Sequence, residues 1–444
     1  MVLLRNAEID GTRADVRIRG GVVAELGRLA AAEGEEVVEA QGGALLPGLH
    51  DHHLHFLALA AARSSVRCGP PEVCDRDQLR AALVAAPAEQ EWVRGVGYHE
   101  SVAGELDRAV LDGFVPERPV RIQHRSGKMW FLNGAALRSV GLDPGGDGRL
   151  FRQDEWLRRR LGDADLTAAA LEVSAQLAAW GVTGFTDATP SNDAAAARRI
   201  RELAPHQHVY AMGNETLSTG HLKVMLDDAE LPDIDELVGR IGEAHGRGRP
   251  VAFHCVTRTE LVFALGALME AGTVAGDRIE HAAVADEDGL RLLAEARVTV
   301  VTQPNFIAER GDRYLLDVDA GEQGFLYRGA GFLNAGIPLA AGTDAPFGEP
   351  DPWAAMRAAV QRKTRSGVVV GGEERLTPER ALALFTTPFS EPGGVPRTIA
   401  GGSPADLCLL TLPWREARLR LHAGDVAATW KAGKRSFGAG AAAR

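Results

Sequence analysis

Cysteine is scarce, with Cys68, Cys74, Cys255 and Cys408 the only four in 444 residues. No pair is spaced C-x-x-C, so neither a disulfide framework nor a dithiol motif is encoded. Long apolar runs are missing too. None approaches the ~18–20 residues that span a bilayer, which predicts no membrane partner. Basic charge is in deficit, 49 Lys and Arg against 60 Asp and Glu, for a net charge of −11 and a pI near 5.7. The run Arg158-Arg159-Arg160 is short and flanked by acids, so no nucleic-acid footprint is expected. There is no G-x-x-x-x-G-K-[ST] phosphate loop, no H-E-x-x-H helix and no G-x-S-x-G elbow. Fixed-period repeats are absent as well. The chain opens Met-Val-Leu-Leu-Arg-Asn, with no charged leader before an apolar core, and a cytoplasmic, reducing location is expected.

What remains is an ordinary globular composition, 45% apolar and 25% charged. The length suits a barrel of about 250 residues or more with an accessory domain. Both ends read as short strands. Val2–Ile9, Asp15–Leu26 with its Gly20-Gly21 turn, and Glu36–Ala40 lie at the front; Ala405–Leu412 and Val426–Trp430 lie at the back. Residues 1–47 and 398–444 are therefore expected to form one small β-sandwich, with Gly438 to Arg444 as a loose end. Between them, residues 48–397 alternate short apolar runs with amphipathic helical stretches such as Ala168–Trp180 and Glu260–Ala271. Eight strand candidates fit a (β/α)8 TIM barrel, an α/β fold. Residues 57–150 do not fit one βα unit and are expected as an insertion over the barrel mouth.

Chemistry gathers at the ends of these strands. Asp51, His53 and His55 alternate along the first, so they share a face. His254 ends Val251-Ala252-Phe253-His254, His281 ends Arg278-Ile279-Glu280-His281, and Asp344 ends Leu339-Ala340-Ala341-Gly342-Thr343-Asp344. In a parallel barrel, functional side chains sit at the C-terminal ends of strands. Neutral imidazoles and carboxylates are the ligands Zn²⁺ and similar ions take. Each histidine alone reads as a satisfied core residue; the set in this order reads as a metal site. His50 and His52 alternate onto the opposite face and read as packing groups. Cys255 should face away from His254 and pack in the core.

The sequence resembles the amidohydrolase superfamily of metal-dependent hydrolases, in particular its N-substituted formamide deformylase-like branch. Pro47-Gly-Leu-His-Asp-His-His-Leu-His55 resembles the family's Pro-Gly-Phe-x-Asp-x-His-x-His. Trp180-Gly-Val-Thr-Gly-Phe-Thr-Asp187, Arg278-Ile-Glu-His281, Gly342-Thr-Asp-Ala-Pro346 and Ile399-Ala-Gly-Gly-Ser-Pro-Ala-Asp-Leu407 resemble further motifs in order. The resemblance implies Zn²⁺ or another divalent metal, two per chain. His53 and His55 with Asp344 would hold one ion, and His254 and His281 the other. Lys223 matches the position of a bridging lysine carboxylated to a carbamate. Asp344 would also be the catalytic base, with a metal-activated hydroxide cleaving a non-peptide C–N bond of a small-molecule substrate. Thr343 and Asp187 are candidates for holding ligand tautomers. One departure is Gly127-Lys128, where the family often has Gly-His; Arg125, Lys128 and Trp130 are the candidates to contact substrate. Two alternatives stand beside this reading: a mononuclear deaminase of a heterocycle using His53, His55, His254 and Asp344, and a non-catalytic metal-binding homologue. The family is often oligomeric, so a homo-oligomer is allowed.

Overall fold

The structure is a computed structural model that describes residues 1–88, 91–161 and 165–438. Of the expected loose end, residues 439–444 lie outside the described residues. The chain divides into two compact units, one comprising residues 1–56 and 171–444 and the other Leu57–Ala170.

In the first unit, both termini contribute strands to two four-stranded sheets. One orders Val22–Gly27, Thr12–Arg19, Val2–Ile9 and Glu36–Glu39; the other orders Lys434–Phe437, Val426–Lys431, Leu407–Leu410 and Leu45–Pro47. The hairpin at Gly20-Gly21 needs glycine, because φ is +62° and +83° there. Alternate residues of both sheets, among them Leu4, Val16, Ile18, Leu407, Leu409 and Trp430, bury in one apolar cluster.

Eight parallel strands carry the chemistry. They are β1 (Leu49–Leu54), β2 (Val182–Asp187), β3 (His208–Ala211), β4 (Leu222–Met225), β5 (Val251–Cys255), β6 (Arg278–His281), β7 (Thr299–Thr302) and β8 (Leu339–Ala341). β1, β2 and β6 are buried along their whole length, as parallel strands covered on both faces must be. The intervening helices begin where the sequence supplies a cap. Asp233 caps Ile234–Gly246, and Thr257 with Glu260 forms a reciprocal capping box on Arg258–Ala271. The one closed sheet expected from the strand count is not what the hydrogen bonds draw. They give two open parallel sheets, ordered β3-β2-β1 and β4-β5-β6-β7-β8. A few backbone bonds cross between them. At one seam His55 N donates to Ala345 O and Asp344 N to His53 O, both at 2.8 Å; at the other, Lys223 N donates to Gly213 O at 2.9 Å.

The second unit has its own five-stranded sheet, ordered Arg149–Phe151, Met129–Leu132, Val120–His124, Val93–Tyr98 and Val66–Arg67. Apolar clusters around Leu79, Val93 and Ile122 and around Trp130, Leu132 and Leu137 support it. The segment 57–150 falls within this unit, which continues to Ala170. Among the described residues no helix is long and apolar enough to cross a membrane.

Candidate metal centre

The strands run parallel within each of the two sheets, and β1, β5, β6 and β8 each carry a candidate at or just beyond the C-terminal end. The nearest approach joins β1 to β8. His53 Nε2 and His55 Nε2 lie 3.4 and 3.3 Å from the same atom, Asp344 Oδ1. That oxygen makes no hydrogen bond, although it is buried. The three side chains form a group whose donor atoms all lie within 4.8 Å of one another. His281 packs beside them, its ring 4.9 Å from that of His53 and 4.5 Å from that of His254.

The imidazoles are aimed by their other nitrogens. His53 Nδ1 bonds Glu280 Oε2 at 2.5 Å, His55 Nδ1 pairs with Thr189 Oγ1 at 2.9 Å, and His281 Nδ1 bonds Gln303 Oε1 at 2.6 Å. In each case Nε2 is left for the centre, the arrangement in which an outer partner fixes the ring of a metal-binding histidine. Asp187 acts one step further out. It accepts from Thr189 N and Asn192 Nδ2, ordering the turn that carries Thr189.

Charge states suit ion binding. Burial drives His254 well below the usual imidazole range and His281 down to about 3, so both keep a free lone pair at neutral pH. Burial would raise the Asp344 carboxyl, but contacts from His53 and His55 and the charges of His53 and His281 hold it well below the usual range. His53 is the exception: burial opposes its charge, but Glu280 and Asp344 together push it up, so an ion would have to displace its proton. Lys223 is fully enclosed, its Nζ has no hydrogen-bond partner, and burial brings its ammonium down to about 8. A buried amine without a partner is costly unless something polar shares the space. The orphaned Asp344 Oδ1, together with imidazoles presenting Nε2, fits a divalent cation, whereas Lys223 as an ammonium would repel one.

Backbone geometry is strained at the same place. His281, Ala282 and Asp344 have φ of 70°, 44° and 55°, in the left-handed region that costs non-glycine residues roughly 1–3 kcal/mol. Gly342 answers a close approach, because a Cβ there would stand 2.4 Å from His53 N and 2.7 Å from His53 Cα. Gly342→Ala must therefore displace β1 at His53. It is expected to cost about 1–3 kcal/mol of stability and to weaken metal binding. Thermal denaturation with and without added metal measures both.

Other sequence candidates fall elsewhere. Asp51 is a strap. Its Oδ2 accepts from Thr343 Oγ1 at 2.6 Å and its Oδ1 from the Thr343 and His53 amides at 3.1 and 3.0 Å, tying β1 to the end of β8. Burial pushes its carboxyl up to about 6 against those bonds. His50 and His52 are buried on Thr186 and Thr387 hydroxyls, each at 3.0 Å, and Cys255 is buried and free. Arg125, Lys128 and Trp130 belong to the second unit. Arg125 and Lys128 lie half-buried in the turn between Val120–His124 and Met129–Leu132. Trp130 is buried, with Nε1 donating to Asp154 Oδ1 at 2.7 Å and the guanidiniums of Arg94 and Arg121 against its ring. The residue that the sequence reading passed over is Glu280, clamped by Arg278 through Nε at 2.5 Å and Nη2 at 3.0 Å. The signal was present in Arg278-x-Glu280, two opposite charges on one face of a fully buried strand.

The α/β fold with parallel strands carries its candidate metal donors at the ends of those strands. Residues 36–437 match the model of the amidohydrolase family, and the chain belongs to that family. It is 25% identical to the N-substituted formamide deformylase of Arthrobacter pascens, over 89% of each chain. Among solved structures it is similar to an uncharacterized metal-dependent hydrolase from Pyrococcus horikoshii, with a TM-score of 0.74, 20% identity and coverage of 95% of this chain and 99% of that one. An atrazine chlorohydrolase from Arthrobacter aurescens, crystallised with zinc, superposes with a TM-score of 0.57 at 15% identity, over 98% and 95% of the two chains. Membership of that family, with a formamide deformylase relative and hydrolase neighbours, is consistent with a hydrolase acting on C–N bonds.

Proposed function

We propose that the protein is a metal-dependent amidohydrolase that cleaves an amide-like C–N bond of a small molecule, at a centre held by His53, His55, Lys223, His254, His281 and Asp344. The observation that carries this reading is the convergence of His53 Nε2 and His55 Nε2 on the unbonded Oδ1 of Asp344. A divalent ion bound among these groups supplies acidified water, with a pKa lowered from 15.7 toward ~7, and a Lewis acid for the carbonyl. The side chains do the rest. Asp344, ionised at neutral pH, accepts a proton from the attacking water and delivers it to the leaving nitrogen. Glu280, Thr189 and Gln303 hold three imidazoles with Nε2 inward.

Lys223 is proposed to act as a carbamate. Its neutral amine, accessible because burial lowers its pKa to about 8, adds to CO2, forming an N–C bond and releasing a proton. A cation is thereby exchanged for an anion with two donor oxygens, which suits a centre of two ions. The two parallel sheets are proposed to be arcs of one (β/α)8 cylinder, supported by the backbone bonds at both seams. The two terminal sheets would form the sandwich, supported by their common apolar cluster. Four free cysteines, three of them buried, suit the reducing interior of a cell.

Elemental analysis, intact-mass measurement and assay on a panel of N-acyl, N-formyl and cyclic amides test the reading. Two metals per chain, a CO2 increment on Lys223 and amide turnover that chelators abolish and Zn²⁺ restores are expected. One ion per chain with unmodified Lys223 and turnover of amino-heterocycles would replace this reading with a mononuclear deaminase. Full metal loading without turnover of either class would leave a non-catalytic homologue.

A further inference from the structure

The helix Asn305–Asp317 follows β7, and its second turn carries Arg310. One Nη2 hydrogen of Arg310 is donated to Phe347 O. Phe347 stands three residues after Asp344, donates its amide to Asp344 O at 2.8 Å, and sets its ring edge-on to His55 at 5.5 Å. Arg310 is therefore anchored to the loop that leaves the metal centre. Its guanidinium lies 4.2 Å over the Phe306 ring, which fixes the plane of the fork. Phe306, Tyr327, Ala283 and Val284 form the apolar cluster around it, with Phe347 and Tyr314 packed on its margin.

No carboxylate pairs with Arg310 among the described residues. The neighbouring Glu309 spends Oε1 on Asn305 Nδ2 at 3.0 Å and on the Glu349 amide at 3.1 Å. Burial alone would lower the pKa of Arg310, but its polar and charged neighbours, the carboxylates of Asp344 and Glu309 among them, raise it, so it stays a cation. A guanidinium has five donors, and one protein acceptor is a small share for a half-buried one. Its planar fork matches a carboxylate in two parallel bonds. A substrate anion brought close to Asp344 would also need such a counter-charge.

We propose that Arg310 is the seat of a substrate carboxylate, so that this enzyme's substrates are amides bearing a carboxylate, of the N-acyl amino acid class, in preference to neutral amides. The inference rests on the C–N hydrolase reading above and adds the substrate class to it. Recognition is electrostatic and bidentate.

The test pairs N-acyl amino acids with their own C-terminal carboxamides on the metal-loaded full chain, reading both kcat/KM and equilibrium binding by calorimetry. Wild type is expected to favour the carboxylate by about 10- to 100-fold, the range of a charge-assisted contact. Arg310→Met should collapse that ratio toward one, mainly through KM on the carboxylates, with metal content unchanged. Arg310→Lys should recover part of it, which a merely structural role would not produce. Turnover of neutral amides with no carboxylate preference would overturn the Arg310 proposal and leave C–N hydrolysis standing. Arg310-dependent binding of the carboxylate without turnover would do the reverse. Preference in neither measurement overturns it outright.

Discussion

Asp344→Asn is expected to abolish turnover while the protein stays folded. Asparagine has the size of aspartate and tolerates the left-handed backbone that Asp344 adopts, φ 55°. Packing against His53 and His55 is therefore kept. The acid–base function is lost, because an amide oxygen cannot take a proton from water and pass it to a leaving nitrogen. Removing a positioned base typically costs 10²–10⁴-fold. The upper end, about 10⁴-fold, is expected, because the substitution also removes the negative charge that His53, His55 and His281 face. Steady-state kcat, circular dichroism and metal content on one preparation distinguish the causes. A variant with normal spectra, most of its metal and full kcat would eliminate Asp344 as the base. One that loses its metal would make it a ligand first.

The parts legible in the sequence are those written in period and position. Alternation in β1 put His53 on the same face as Asp51, and the apolar runs ending in His254 and His281 marked β5 and β6 within a residue, while the run ending in Asp344 overshot β8, which stops at Ala341. The fate of Asp51 was not legible. Whether a carboxylate on that face meets an ion or a hydroxyl depends on Thr343, 292 residues away, and no local pattern encodes that. Arg310 was hidden for a similar reason. In the sequence it is one arginine among the acids of an amphipathic helix; only the fold lays it over Phe306 and against the loop after Asp344. Gly127-Lys128 departs from the family's Gly-His and drew attention to Trp130 beside it, yet Trp130 is occupied by Asp154 and two arginines of its own unit. Whether eight strands close into one sheet depends on pairing between β3 and β4 and between β8 and β1, which a count of strands does not encode; the hydrogen bonds draw two open sheets.

Glu280 and Arg278 should prove as necessary to the metal as the histidines themselves. Both side chains are 0% exposed, and burying an ion pair costs more solvation than its attraction reliably returns. This pair reaches the centre at two points. Glu280 Oε2 holds His53 Nδ1, and Arg278 Nη2 donates to His52 O at 2.8 Å, bracing β1 one residue before that histidine. Burial works to raise the Glu280 carboxyl, but Arg278, Lys223 and His53 hold it well below its usual range, so the anion persists. Glu280→Gln leaves Arg278 buried and unpaired, and a loss of about 3–5 kcal/mol in stability is expected. Zinc affinity should fall roughly 10- to 100-fold, as when the carboxylate behind a ligand histidine is removed. The two effects separate in Arg278→Met/Glu280→Gln, which removes both charges. Chemical denaturation of the metal-free double variant should recover most of the lost stability, since no lone charge is left inside. Its zinc affinity, measured by chelator competition, should stay low, because His53 would still lack an anion on Nδ1. A double variant that regains both would reduce the pair to a packing device; one that regains stability alone makes Glu280 the group that orients His53 for the ion.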